Sequence, residues 1–303
     1  MWRRMSNALK TEAAVWASAR HGHQSPLVVF KRLWPIPFII SAALAATTGD
    51  APPVTYRLLA SQSLCYAAVA LLVPTLLFKM LDRSLDASAW RWLGELDLRK
   101  DCTTEPERAS AFVRHPMACY SSHAQTAAGA YILARACDDA RAPRASALFG
   151  LTQVAMGCAS FAWWASRRVR ARQLDSWLME TMTTAMGAAA LAVAVPEHER
   201  SLVAAWVLYA VLRAASFRER GDLLLATALY TVAYLIAVQR LGGCGLLWRY
   251  TASTASIYTG LVLKFFDTTG RGAWGTAAFH YAVGFGFVLL WLWTQSWPAA
   301  PPT

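Results

Sequence analysis

Apolar residues in this chain come in blocks, near 33–48, 58–78, 117–134, 145–166, 174–195, 201–217, 222–238, 246–266 and 274–294. Many of the blocks are about 17–22 residues long, enough for a helix to cross a ~30 Å hydrocarbon layer. The first, "LWPIPFIISAALAATT", is short and carries Pro35 and Pro37. Turn or charge signals separate the blocks: "TGDAPP", "DDARAP", "RRVRAR", "PEHER", "RLGGCG" and "DTTGRG". Helices are the natural spanning element, because each satisfies its own backbone hydrogen bonds in lipid. The pattern predicts an all-α, polytopic transmembrane bundle of about nine spans.

The domain organisation follows from the same blocks. Residues 1–32 read as a basic N-terminal tail, and 33–80 as two additional transmembrane helices. Residues 81–116 read as an amphipathic inside loop, 117–295 as a seven-helix core, and 296–303 as a short C-terminal tail.

Charge tests the count. With nine spans, 22 of the 29 Lys and Arg fall on one side and 7 on the other. The positive-inside rule then puts the N-terminus on the cytoplasmic or matrix side and the C-terminus opposite. The block "RRVRAR" becomes an inside loop, and Asp175 the first charge of the next span. There the helix dipole favours an anion near the N-terminus.

Composition supports a membrane protein. Hydrophobic residues make up 56% and charged residues 16%, and there are 14 tryptophans. Soluble domains carry roughly 25% charged residues, and Trp favours the membrane–water interface. The net charge of +11 would suggest nucleic acid in a soluble protein. Here the arginines sit between apolar runs, which makes them topology signals and contacts for anionic lipid headgroups. No nucleic-acid partner is expected. The six cysteines show no CxxC and no metal-type spacing, so no disulfide framework is implied. "MWRRMSNALKTEAAVWASARHGH" is Arg-rich and acid-poor, as an organelle-targeting segment is, and equally as a basic cytoplasmic-side tail is.

Ionisable or polar groups inside spans are expensive and are functional candidates by default. His123, Gln125, Asp175, Glu180, Arg213 and His280 qualify. Each also has a plain reading. Arg213 can snorkel from a helix end, His280 can bond a neighbouring helix, and Glu180 can pair with a loop arginine. The sequence holds no GxSxG, HExxH, Walker A or Rossmann glycine pattern. The glycines two apart in "YAVGFGF" give small faces for close helix packing.

Three segments together resemble the seven-helix membrane hydrolases that include alkaline ceramidases and adiponectin-type receptors. "RHPMACYSSHAQTAAGAYIL" is similar to the opening core helix, with Pro116, Ser121, Ser122, Ala128 and Gly129 in register. "MGCASFAWWASRRVRARQLD" resembles the family's G-S-x-x-F-H-A-S segment followed by an Asp, with Ser160, Ala165, Ser166 and Asp175 matching. "FHYAVGFG" falls at the family's H-x-x-W-H motif, where His280 matches the first His. The resemblance covers about 60% of the chain.

The resemblance implies a zinc ion held by one His of the second core helix and two of the seventh, activating water to attack an amide. Here the first of those positions is Trp164 and the last is Gly284. The family's Asn is Ala118, and its acidic position is His115. Ser121, Asp175 and His280 remain as vestiges of a site. A catalytic zinc generally needs three protein ligands, and the indole N–H is only a donor. The expectation is therefore a degenerate, non-catalytic member of that superfamily with no cofactor. It would be an accessory or structural subunit of a larger membrane complex, plausibly of the mitochondrial inner membrane, with bound lipids and other subunits as partners. The alternatives are a zinc-dependent lipid amidase built on Ser121, Asp175 and His280, and a transporter or receptor lined by the in-span polar residues.

Overall fold

The computed structural model describes residues 62–97, 103, 105–138, 144–215, 223–241, 247–268 and 274–295. The expected basic tail, the run at 33–48 and the C-terminal tail lie outside the described residues. Among the described residues the chain is all-helical, with no strand. Its α-helices are α1 (Gln62–Ser84), α2 (Pro116–Ser121), α3 (His123–Asp138), α4 (Arg144–Ser166) and α5 (Val169–Ala194). They continue with α6 (Glu199–Ala215), α7 (Leu223–Leu241), α8 (Leu247–Thr268) and α9 (Gly275–Gln295). Single 3-10 turns cover Ala87–Leu93 and Pro196–His198.

The apolar runs and the helices coincide closely, except that 117–134 divides into α2 and α3 at Ser122. Two helical stretches, Arg144–Ser166 and Gly275–Leu292, are long and apolar enough to cross a membrane. The other helices carry charges or are shorter. Lys79, Asp82 and Arg83 lie in α1, four charged residues from Arg170 to Glu180 lie in α5, and Arg249, Lys264 and Asp267 lie in α8.

Packing runs α3 on α4, α4 on α5, and α5 on α7. α8 and α9 form a pair, α9 returns onto α3 and α2, and α1 lies against α3. Small residues set the spacing. An ideal Cβ on Gly129 of α3 would stand 2.5 Å from the Val154 nitrogen and 2.7 Å from the Gly150 carbonyl oxygen of α4. Backbone meets backbone there, as small-residue faces permit. The two glycines of "YAVGFGF" serve different neighbours, since two residues are about 200° of helix. An ideal Cβ on Gly284 would stand 3.0 Å from the Ala124 carbonyl oxygen of α3. Gly286 backs onto Ile257 of α8, whose neighbour Ser253 donates to the Gly286 carbonyl at 2.6 Å.

The described residues of the stretch between α1 and α2 fold back over the end of the bundle where α4 meets α5. Val113 N–H donates to Asp82 Oδ1 at 2.8 Å, and Arg108 pairs with the other carboxylate oxygen. Arg114 and His115 donate backbone N–H to the Ala165 and Trp164 carbonyls at 3.1 and 3.2 Å. Leu93, Phe112 and Val113 thereby join Phe161, Trp163 and Trp164 in an apolar cluster of their own. Pro116 opens α2, where its missing N–H costs nothing. Glu105 caps that helix, accepting from the Met117 and Ala118 N–H groups at 2.6 and 3.0 Å.

Candidate functional site

The α4–α5 turn answers what the four arginines of "RRVRAR" do. Arg167 adopts φ 54°, the left-handed region, so the chain reverses sharply between the two helices. Its guanidinium is buried and lies 4.1 Å above the Trp163 ring. Burial pushes that group down to about 10, with Asp97 opposing and Arg172 reinforcing. Arg172 pairs with Asp97 at 2.6 Å. Arg168 donates to the Gly94 carbonyl at 2.9 Å, and Arg170 to that of Trp92 at 3.4 Å. All four thus have partners within the chain, supplied mainly by the 85–97 segment, in addition to any headgroups they meet.

Below this turn several of the candidate positions come together. Ser121, in the last turn of α2, has Oγ 2.8 Å from His280 Nδ1 on α9 and 3.0 Å from the Ala118 carbonyl. Its one proton serves one of the two. Ser122 donates to the Ala118 carbonyl at 2.9 Å, and its hydroxyl lies 3.2 Å from that of Ser160 on α4. Ser160 in turn hydrogen-bonds the Asp175 carboxyl on α5. Asp175 Oδ1 is buried and has no hydrogen-bond partner among the described residues. Trp164 is one turn past Ser160 on the same face of α4 and is 4% exposed.

Asp175 departs from its expected place. α5 starts at Val169, earlier than the apolar run suggested, so Asp175 lies beyond the first turn, out of reach of most of the helix-terminal charge. The reason is local: the Ser166 hydroxyl accepts from Arg168 N–H at 3.2 Å, and helix resumes at once. The basic run is thus the first turn of α5, carried by its contacts to residues 92–97.

The remaining polar candidates sit elsewhere. His123 stacks on Phe161 at 4.8 Å, away from Ser121. Gln125 is buried within α3, with Oε1 unpartnered among the described residues. Glu180 pairs with Arg213 of α6, through contacts of 3.1 and 2.9 Å, and so not with a loop arginine.

Sequence reasoning missed Lys264. It lies in α8, is 8% exposed, and holds Nζ 4.9 Å from the Trp164 ring centroid and 5.3 Å from that of Phe279. Its charge acts on both Asp175 and His280. In the sequence it passes as one more basic residue near the end of an apolar run. Its position inside the run was the available signal.

The residues present do not fit a zinc ion. Trp164 offers no lone pair, and Gly284 offers no side chain. A Cβ at 284 would press on the Ala124 carbonyl at 3.0 Å, so an imidazole there would need α3 and α9 to move apart. An ammonium lies over the indole.

His115 closes the site from above, with its ring edge-on to Trp164 at 5.9 Å. It is fully buried. Burial lowers its pKa from the ordinary 6.5, with Glu105 and Glu107 opposing and Arg114 reinforcing. Above that ordinary value both folded and unfolded chains hold a neutral imidazole. Below it the unfolded chain takes the proton first, so stability falls as the pH drops towards the lowered value. The thermal midpoint should therefore drop between about pH 7.5 and about pH 5.5. The His115→Asn variant should lose less over the same interval. An identical acid sensitivity in the variant would show that His115 is not its source.

No family model matches the chain. No curated protein matches it, and no solved structure does.

Proposed function

We propose that this chain is a non-catalytic, multi-pass membrane protein, an accessory subunit of a larger membrane assembly, whose core is ceramidase-like with the metal site lost. The observation that carries the reading is at Gly284. The position where the resemblance requires an imidazole is occupied by helix contact, with the Ala124 carbonyl 3.0 Å from an ideal Cβ. His280 is already engaged by Ser121.

Exposed apolar side chains on several helices support the membrane reading. Leu72 and Leu76 on α1, Leu208 and Val211 on α6, Val232 on α7 and Phe285 on α9 are all more than half exposed. Large apolar side chains left outside the core suit a membrane or protein interface. About nine spans, the N-terminus on the matrix or cytoplasmic side and the C-terminus opposite complete the topology. The Arg-rich, acid-poor start of the chain suits the mitochondrial inner membrane. Lipids, anionic ones among them, and neighbouring subunits are the partners.

Two measurements test this. Solubilised gently from native membranes, the chain should migrate in a large complex. Purified alone, it should carry no stoichiometric zinc and should leave a ceramide analogue intact in lipid nanodiscs. Zinc that departs on His280→Ala, together with chelator-sensitive amide cleavage, would establish the metal-dependent lipid amidase in its place.

A further inference from the structure

We infer that Lys264 is the resident cation of the buried site, an internal ammonium seated on the Trp164 face and coupled electrostatically to the Asp175 carboxyl, where the resemblance calls for a bound metal. This rests on the reading above and deepens it by assigning what replaced the metal.

The two departures from the family pattern become complementary. An ammonium taken out of water needs an anion or a π-face to offset its lost hydration. Trp is the strongest π-face among the side chains, and Trp164 presents its ring 4.9 Å from Lys264 Nζ, with Phe279 at 5.3 Å on another side. Asp175 supplies a buried carboxyl group, the acidic partner for that ammonium. One of its oxygens is tied to Ser160, while Oδ1 is buried with no hydrogen-bond partner among the described residues. Lys264 acts on it electrostatically. A carboxylate left with a bare buried oxygen is unstable unless positive charge lies nearby. Lys264 provides that charge from α8, and the field also falls on His280.

The charges around the site point the same way. Arg167, from the α4–α5 turn, lies 5.8 Å from the Trp164 ring. Two cations, Lys264 and Arg167, thus border a site whose own anion is Asp175. Like charges disfavour each other at close range in a buried site, so a divalent metal would enter against both of them. The indole at position 164 is therefore the receptor for a cation already built into the chain. The site joins α2, α4, α5, α8 and α9 through one charge centre.

A double-mutant cycle on the full chain in lipid nanodiscs tests this. Lys264→Met should lower the thermal midpoint by on the order of 10 °C, because it strands a buried carboxylate. Asp175→Asn should lower it as well. The Lys264→Met/Asp175→Asn pair should recover at least half of the summed loss. Strictly additive losses overturn the inference. Should Lys264→Met fail to fold, the wild-type chain still decides. Lys264 should resist an amine-acylating reagent under conditions that fully modify the exposed Lys79, with peptide mass spectrometry as the readout. Equal labelling of the two lysines overturns the inference. Additive losses or equal labelling in a chain free of zinc would remove Lys264's role and leave the non-catalytic reading standing. Stoichiometric zinc in the wild type would remove both.

Discussion

Gly129→Val should cause a large loss of stability through the α3–α4 pair. The two helices touch along Ser122, Thr126 and Gly129 on one side and Gly150 and Gly157 on the other. An ideal Cβ at 129 would meet the Val154 nitrogen at 2.5 Å and the Gly150 carbonyl oxygen at 2.7 Å. Neither atom is the end of a flexible side chain, so the helices themselves must part. Moving them would disturb the Ser122–Ser160 contact of 3.2 Å and the approach of α9, where Gly284 rests on the Ala124 carbonyl. Overpacking of this kind typically costs about 1–3 kcal/mol and occasionally more. With backbone on both sides, the upper end applies, a fall in the thermal midpoint on the order of 10 °C. Ala130→Val, one residue on and partly exposed, should change the midpoint by a few degrees at most. Equal effects at the two positions would show that the close approach at Gly129 does not limit the packing.

Much of the helical layout was legible in the apolar runs, because among the described residues every run but 117–134 forms one helix. The runs at 145–166 and 274–294 match Arg144–Ser166 and Gly275–Gln295 within a residue. What escaped is governed by tertiary contacts. The early start of α5 brings Arg168 and Arg172 to partners at Gly94 and Asp97, and that pairing is encoded by no local pattern. The break at Ser122 divides what hydropathy reads as one run. The site was half legible. Ser121 and His280, two of the candidate residues, meet, and Ser160 lies next to Asp175. Lys264 carried one signal, its position inside an apolar run, but a single lysine there also reads as a topology charge until Trp164 is placed beside it. Glu105 was missed for a related reason. Its cap on α2 crosses a loop, so the residue offered no capping pattern adjacent to the helix it serves.

The pairing of Glu180 with Arg213 leads to the second large effect. Both were ionisable residues within apolar runs, and the bundle uses each to neutralise the other. Arg213 Nη2 lies 2.9 Å from Glu180 Oε2, the glutamate side chain is 1% exposed, and the arginine is 18% exposed. A buried carboxylate stripped of its cation has no solvent to fall back on, so Arg213→Met should destabilise the chain by about 3–5 kcal/mol. Glu180→Gln should cost less, since Arg213 sits closer to the surface and can extend its head group outward. Replacing both, as Glu180→Met/Arg213→Met, should bring stability back to near the wild-type level, because an apolar pair of similar volume carries no desolvation penalty. Denaturant or thermal unfolding of the four proteins in one lipid environment gives the coupling directly. Near-additive losses would mean that the two charges are solvated independently, and that the contact between α5 and α6 is held by other packing, such as Trp177 Nε1 donating to the Ala210 carbonyl at 3.1 Å.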